Sequence, residues 1–393
     1  MNVLIISSWY PSKANPLQGI FVQEQAEGLA EKFPDCNIIV STWGQADGEI
    51  SIRSPWNFWK KIVWRLGQTK DLISRTNGVW EIFNPALYWS HRLPFGGSDR
   101  LINAHRRNIT LALKKFKKID VIHAHVSFPA GYITSLLSQE FNIPFVLTEH
   151  MSPFPFKSLI QNGKPLPSIS QAFQQADLTI AVSSSLAASI SSYGYDKPIV
   201  LPNMVDENRF SIGEPDSKKI VFFSLGGITK QKGINFLLEA ISLWNPAAEH
   251  FEFRIGGDGP MLDSYKELAD LLGVSDRVRW LGAVDREQAP NLFRECHIFV
   301  LPSIHETFGI VYAEALASGK PIIATRCGGP EDIVNSDNGL LVDVGDIAGL
   351  SEAMQELANH WKYYDPVKIR SDFEKRFSRR VVLTQLMEKY KNL

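Results

Sequence analysis

The chain has 393 residues, 44% hydrophobic and 21% charged, with a formal net charge of −1. That length is too great for one compact core and fits two domains. A charge balance so close to neutral gives no reason to expect a nucleic-acid partner, and no apolar run is long enough to cross a bilayer. The three cysteines, Cys36, Cys296 and Cys327, stand far apart without C-x-x-C spacing. They suggest neither a disulfide framework nor a zinc site, and a reducing cytoplasm is the expected compartment.

Met1–Ile6 has no basic n-region and no small-residue cleavage site, so it reads as the start of a buried strand over Val3–Ser7 and not as a signal peptide. Gly19–Lys32 follows with a helical pattern, then a strand at Asn37–Ser41. Residues 45–110 are less regular. They contain Pro55–Arg65, a predicted helix with Trp56, Trp59 and Trp64 beside Lys60, Lys61 and Arg65. This helix reads either as an interfacial helix on a membrane or as an ordinary amphipathic helix packed on its domain. Strands are predicted at Asp120–His125, Pro144–Thr148 and Leu178–Val182, with helices at Ala130–Glu140 and Ser184–Tyr193. Short apolar strands alternating with helices imply a parallel, doubly wound sheet covered on both faces.

Leu201–Asp206 ends this half, and the polar stretch Gly213–Lys219 reads as a linker. The pattern then restarts, with strands at Ile220–Leu225, Phe251–Ile255, Val278–Leu281, Ile298–Leu301 and Ile322–Thr325. A charged helix over Asp372–Leu393 closes the chain. Residues 1–200 carry 19 Lys+Arg against 14 Asp+Glu, and the remainder 22 against 28. The basic first half suits an anionic lipid surface or a phosphorylated acceptor, although ordinary surface variation gives the same counts.

Two carboxylates stand out. Glu306 follows the strand Ile298–Leu301 in a loop, and Glu314 falls about two turns into the next predicted helix. In open α/β sheets ligands bind at this carboxyl edge. A loop carboxylate there suits sugar hydroxyls, one on the helix suits ribose hydroxyls, and Gly309 lets backbone approach a ligand. The amides of Phe308, Gly309 and Ile310 can meet a phosphate. Toward the N-terminus, Pro11–Phe21 joins the first strand to its helix without G-x-G-x-x-G spacing, which argues against a dehydrogenase.

Glu306 and Glu314, within His305-Glu306-Thr307-Phe308-Gly309-Ile310 and the following helix, resemble the E-x7-E motif of the retaining glycosyltransferases of family 4. Lys232-Gly233 resembles that family's phosphate-binding Lys-Gly. Gly256-Gly257-Asp258-Gly259-Pro260 resembles its Gly-x-Gly-Pro turn, and Gly328-Gly329 its Gly-Gly loop. Leu201-Pro202-Asn203 with Val205-Asp206 resembles its interdomain segment. Two positions depart from the pattern. Gly227 stands where the family has Arg, with Lys230 a nearby substitute or a plain surface lysine, and Met204 stands where it has Gly.

The resemblance implies the GT-B fold, α/β with two Rossmann-like doubly wound domains facing across a cleft. Its boundaries would be 1–205 for an acceptor-binding domain and 206–371 for a nucleotide-sugar-binding domain, with a helix over 372–393 crossing back to the first. It implies Glu306, Lys232 and His150 as catalytic residues. Donor binding would fall to Gly19, Gly226, Lys232, Glu306, Phe308, Gly309, Ile310 and Glu314, with His125 on the acceptor side. No Asp-x-Asp pair occurs, so no metal is expected, and no cofactor beyond a nucleotide-diphosphate sugar as donor substrate. The expected partners are that donor and a saccharide or lipid-linked acceptor in surface polysaccharide assembly. A lipid-linked acceptor would bring the protein to an anionic membrane surface, as a peripheral protein on the inner face of the cytoplasmic membrane. A catalytically weak nucleotide-sugar-binding protein and a GT-B nucleotide-sugar epimerase remain as alternatives.

Overall fold

The computed structural model describes residues 1–50, 55–89 and 97–393, with the side chains of 55–57 outside that description. The chain divides into two compact units. One comprises Met1–Val182, Ala187–Leu201 and Leu383–Leu393, the other Ser183–Leu186 and Pro202–Val382.

Up to Leu201 the chain runs β1 (Asn2–Ser7), α1 (Ile20–Lys32), β2 (Asn37–Thr42), α2 (Gln45–Gly48), α3 (Pro55–Leu66), β3 (Leu72–Thr76), β4 (Val79–Phe83), α4 (Ser98–Phe116), β5 (Val121–His125) and α5 (Tyr132–Phe141). It continues with β6 (Phe145–Glu149), the short pair β7 (Ile160–Gln161) and β8 (Lys164–Pro165), α6 (Pro167–Gln175), β9 (Leu178–Ala181), α7 (Ser184–Ser192) and β10 (Ile199–Val200). The sheet order is β10-β9-β6-β5-β1-β2-β4-β3, parallel except for the β3–β4 hairpin. β5 and β6 are buried along their whole length, and β1 beyond its first residue. Such continuous apolar runs are stable only with helices on both faces.

The stretch read as irregular holds, besides α2 and α3, the β3–β4 hairpin and α4. Thr76 pairs with Val79, so Asn77-Gly78 forms a two-residue hairpin loop, with φ of 48° and 81°. Asn-Gly is the pair that adopts this left-handed turn most readily. α4 was hidden because polar residues interrupt its buried face. His105 Nδ1 meets Ser41 Oγ at 2.7 Å, and Asn108 Nδ2 donates to Ser41 Oγ at 2.8 Å and to Thr42 O at 3.0 Å.

The other unit runs β11 (Ile220–Leu225), α8 (Ile234–Trp244), β12 (Phe251–Gly256), α9 (Leu262–Leu271), β13 (Val278–Gly282), α10 (Ala289–Arg294), β14 (Ile298–Leu301), α11 (Ile310–Ala317), β15 (Ile322–Thr325), β16 (Gly339–Val342), α12 (Ile347–His360) and α13 (Pro366–Arg376). Its sheet order is β13-β12-β11-β14-β15-β16, parallel throughout. Phe222, Phe223, Phe253, Phe293, Phe299 and Tyr312 are fully buried around the central strands.

The C-terminal stretch read as one helix is two, α13 and α14 (Arg379–Lys391). Residues 372–382 belong with the second unit, and the chain enters the first at Leu383. α13 is fastened where it lies by Arg370, which donates to Phe210 O and Ala317 O at 2.5 Å and to Glu207 O at 2.7 Å. Further on, Tyr390 OH sits 2.6 Å from His123 Nδ1 in the core of the first unit. At the other crossing the compact units part between Leu201 and Pro202, where a boundary after 205 was expected.

Candidate active site

In the second unit the strand order reverses between β11 and β14, the topological switch point at which open α/β sheets bind ligands. The loops leaving these two strands are locked together. Gly233, with φ of 63°, presses so closely on the β14 loop that a Cβ there would lie 2.0 Å from Pro302 O. Ile304 N donates to Gln231 O at 2.7 Å, and Gln231 Nε2 to His305 O at 2.8 Å. The result brings Lys232 Nζ to 2.5 Å from Glu306 Oε1, which also accepts from Ser303 Oγ at 2.8 Å. Gly226 lies along the Lys232 stem: a Cβ there would stand 3.4 Å from its Cε.

The loop after β15 clamps the Glu306 backbone from the other side. Glu306 N donates to Cys327 O at 3.2 Å, and Gly329 N to Glu306 O at 2.8 Å. A Cβ on Gly329 would lie 2.4 Å from Phe308 Cα, so the Gly-Gly pair is needed for this approach. Gly309, with φ of 85°, opens α11, and Ile310 is the first residue of that helix. The Phe308 ring is buried 5.7 Å from that of Phe377, which leaves its backbone as the part able to face a ligand. Glu314 is half-buried and only a little over one turn into α11, nearer its start than the two turns expected.

In the first unit the reversal falls between β1 and β5. His125 ends β5, in register with Ser7 of β1 and Thr148 of β6. His125 Nδ1 and His150 Nε2 stand 3.0 Å apart. The His150 ring lies 4.6 Å from that of Phe21, on the first turn of α1, so His125, His150 and the Gly19 end of α1 are brought together. Gly19 has φ of 70°, and a Cβ there would fall 2.1 Å from Trp9 O. Among the described residues His125 Nε2 and His150 Nδ1 are buried without a partner. Burial pushes His125 down to about 3, and burial with the neighbouring His125 holds His150 well below the usual histidine range. Both rings are therefore neutral near pH 7 and offer hydrogen bonds, not positive charge.

Two features here were not singled out from the sequence. Glu149, fully buried, accepts from Ser127 N at 3.0 Å, His150 N at 2.7 Å and Met151 N at 2.9 Å, and so joins the loops after β5 and β6. Val126 has φ of 75° and ψ of 127°, a strained backbone for a β-branched residue, held directly after His125. A carboxylate at the end of an apolar strand, Thr148-Glu149-His150, was the available signal for the first; nothing local marks the second.

Among the described residues no group of three or more His, Cys, Asp or Glu is arranged to hold a metal ion, and no helix is long and apolar enough to cross a membrane. Residues 204–375 match the family model described as glycosyl transferases group 1, and residues 18–209 match glycosyltransferase family 4. An uncharacterized glycosyltransferase of Methanocaldococcus jannaschii is 30% identical over 292 residues, covering 73% of this chain and 79% of that one. A Bacillus subtilis protein named as a teichuronic acid biosynthesis glycosyltransferase is 26% identical, covering 92% of this chain and 91% of its own. Among solved structures, Anabaena HepE in complex with UDP superposes with a TM-score of 0.71 at 17% identity, over 100% of both chains. The lipopolysaccharide outer core galactosyltransferase WaaB gives 0.69 at 16%, again over 100% of both. With two Rossmann-like α/β units, and family matches that between them run from residue 18 to 375, this chain belongs to the glycosyltransferases of GT-B fold.

Proposed function

We propose that the chain moves a hexosyl group, with retention at the anomeric carbon, from a nucleoside-diphosphate sugar to a saccharide or lipid-linked acceptor in surface polysaccharide assembly. The observation that carries this reading is the Lys232–Glu306 pair, held at 2.5 Å across the switch point of the second unit by loops packed and hydrogen-bonded to each other. In this reading the bond from the anomeric carbon to the diphosphate breaks, and a bond to the acceptor oxygen forms on the same face. The acceptor proton leaves on a diphosphate oxygen. Lys232 and the first amides of α11 stabilise the charge growing on that leaving group, the part a divalent ion plays in other transferases, so the reaction needs no metal. Glu306 orients the donor sugar and positions Lys232, and Glu314 holds the ribose. His150 donates a hydrogen bond to the sugar, Gly19 admits the diphosphate to the start of α1, and His125 lines the acceptor side.

Several relatives bear on the substrate. HepE is described with UDP and with UDP-glucose, and other similar proteins are named for teichuronic acid and lipopolysaccharide core assembly. They favour a nucleotide-sugar donor and a cell-surface polymer acceptor. The reading is tested by a thermal-shift screen of nucleoside diphosphates and their sugars, followed by product mapping with the best donor. A donor that binds only the folded state raises the melting temperature with its concentration. No shift with any nucleoside diphosphate at millimolar concentration would overturn it.

A further inference from the structure

α3 has two unlike faces. Trp64 and Lys61 turn toward the rest of the unit. A Cβ on Gly44 would lie 2.3 Å from the Trp64 ring, and Lys61 Nζ donates to Ala46 O at 2.6 Å. Of the two readings of this helix, Trp64 and Lys61 fit the one packed on its domain, and Trp56 lies outside the described side chains. The outward face carries Trp59, Val63 and Leu66, which are 66%, 68% and 78% exposed. Their spacing places them in one stripe along the helix. Lys60 is exposed on its flank. A contiguous stripe of large apolar side chains marks a surface that meets something, where single exposed residues would not.

The C-terminal end of this stripe meets a cavity of about 520 Å³, walled by Arg65 and Leu66 of α3, the segment Asn84–Leu87 and α4. Lys70, Arg100 and Arg107 also line it, and among the described residues no carboxylate does. Arg107 is paired with Asp71, close to Lys70. The Arg100 guanidinium is packed 4.9 Å over the Trp89 ring. Beside the Arg107–Asp71 pair, Arg65, Lys70 and Arg100 bring three further cations to this concavity, a local excess of positive charge that attracts an anion. Guanidinium groups match a phosphate by paired hydrogen bonds.

We propose that this cavity receives the phosphate of an anionic phospholipid while Trp59, Val63 and Leu66 enter the lipid interface, so that the first unit docks on an anionic membrane. Contiguity selects a lipid over a free phosphate: Leu66 belongs both to the cavity wall and to the apolar stripe, and a soluble anion would leave that stripe in water. An apolar helical face bordered by cations is the physical form of an interfacial helix. The inference draws its purpose from the lipid-linked acceptor reading, but its test does not depend on transfer.

The full chain is sedimented with vesicles of phosphatidylcholine alone and of phosphatidylcholine mixed with phosphatidylglycerol. Binding is expected only to the second, weakening as salt rises. Arg65→Gln with Arg100→Gln should reduce the affinity about 25-fold, on the scale of roughly fivefold per cation at an anionic surface. Trp59→Ser with Val63→Ser and Leu66→Ser should abolish binding. Nucleotide binding, measured in parallel, should be unchanged in both variants, which shows that they fold and separates this claim from donor recognition. Wild-type protein that ignores anionic vesicles at low salt overturns the proposal, and so does wild-type affinity in either variant. A wild-type dimer that the apolar variant converts to monomer, without vesicle binding, would make the stripe a contact between copies and overturn it equally.

Discussion

Removing the cation from the Lys232–Glu306 pair should affect stability and turnover separately. Lys232→Met keeps most of the stem that lies along Gly226 but leaves Glu306 with Ser303 Oγ as its remaining side-chain donor at 2.8 Å. The two side chains are 22% and 8% exposed, so the pair is largely withdrawn from water. At about 4 Å and an effective dielectric of about 20, two unit charges attract by about 4 kcal/mol. Breaking a buried pair from one side costs about 3–5 kcal/mol, and the part-exposed lysine puts this case near 3 kcal/mol. Glu306→Gln leaves an amide that still accepts from both neighbours, so its cost to stability should be smaller. In the double variant the losses should fall short of their sum by about 0.5–3 kcal/mol, the range for contacting residues. Turnover with the best donor should drop at least about tenfold in each single variant, or roughly 1.4 kcal/mol of barrier. The assay is urea unfolding of the four proteins, following the transition of the second unit, with steady-state kinetics beside it. Additive stability losses together with wild-type turnover would refute the reasoning.

Other outcomes follow from the same loops and buried groups. Gly233→Ala should destabilise the second unit and lower activity, because the added Cβ meets Pro302 O at 2.0 Å at a positive φ; a melting temperature equal to wild type would count against that packing. Gly227→Arg has open space, the nearest atoms to a Cβ being 4.0 Å away, so it should fold normally and tighten nucleoside-diphosphate binding by adding a cation; weaker binding would contradict the placement of the diphosphate. Glu314→Ala should raise the Kd for the nucleotide, and an unchanged Kd would show that this carboxylate does not hold the ribose. Acid should destabilise the protein well above the carboxylate range. His105 and His125 are pushed down to about 3 and His297 to about 4, chiefly by burial, and His123 and His150 lie well below the usual range for the same reason. The unfolded chain binds these protons near pH 6.5 and the folded chain does not, so their contribution is complete above about 6.5 and is lost as pH falls below it, by up to about 1.4 kcal/mol per pH unit for each. Glu149, raised by burial, acts in the opposite direction but is one group against five. Melting temperatures flat between pH 7 and 5 would contradict this.

The sheets were legible because strands covered on both faces must be apolar throughout, as β5, β6 and β14 are. The candidate-site loops could be picked out because their glycines and Lys232 stand in a fixed order along the chain, and the structure brings the loops after β11, β14 and β15 onto one edge. What stayed hidden depended on distant partners. The polar residues in α4 look misplaced until Ser41 is seen beside them, and the tie between His123 and Tyr390 spans 267 positions. The direction of Trp64 is set by the bare backbone of Gly44, 20 residues earlier in the chain and silent in any pattern of hydrophobicity. Only the β3–β4 hairpin carried a local sign, Asn77-Gly78, inside a stretch whose strand β3 is too exposed to show an apolar run.

The central claim is most directly tested by incubating the protein with its best nucleotide-sugar donor and a saccharide acceptor in excess chelator, and reading the anomeric proton of the product by NMR. The account predicts acceptor-dependent formation of a glycoside with the donor's anomeric configuration, undiminished by chelation and lost in Lys232→Met. Donor consumed at the same rate without acceptor would indicate an epimerase, and donor bound but never consumed a binding protein; either result, or an inverted product, or one formed only when a divalent metal is restored, would contradict it.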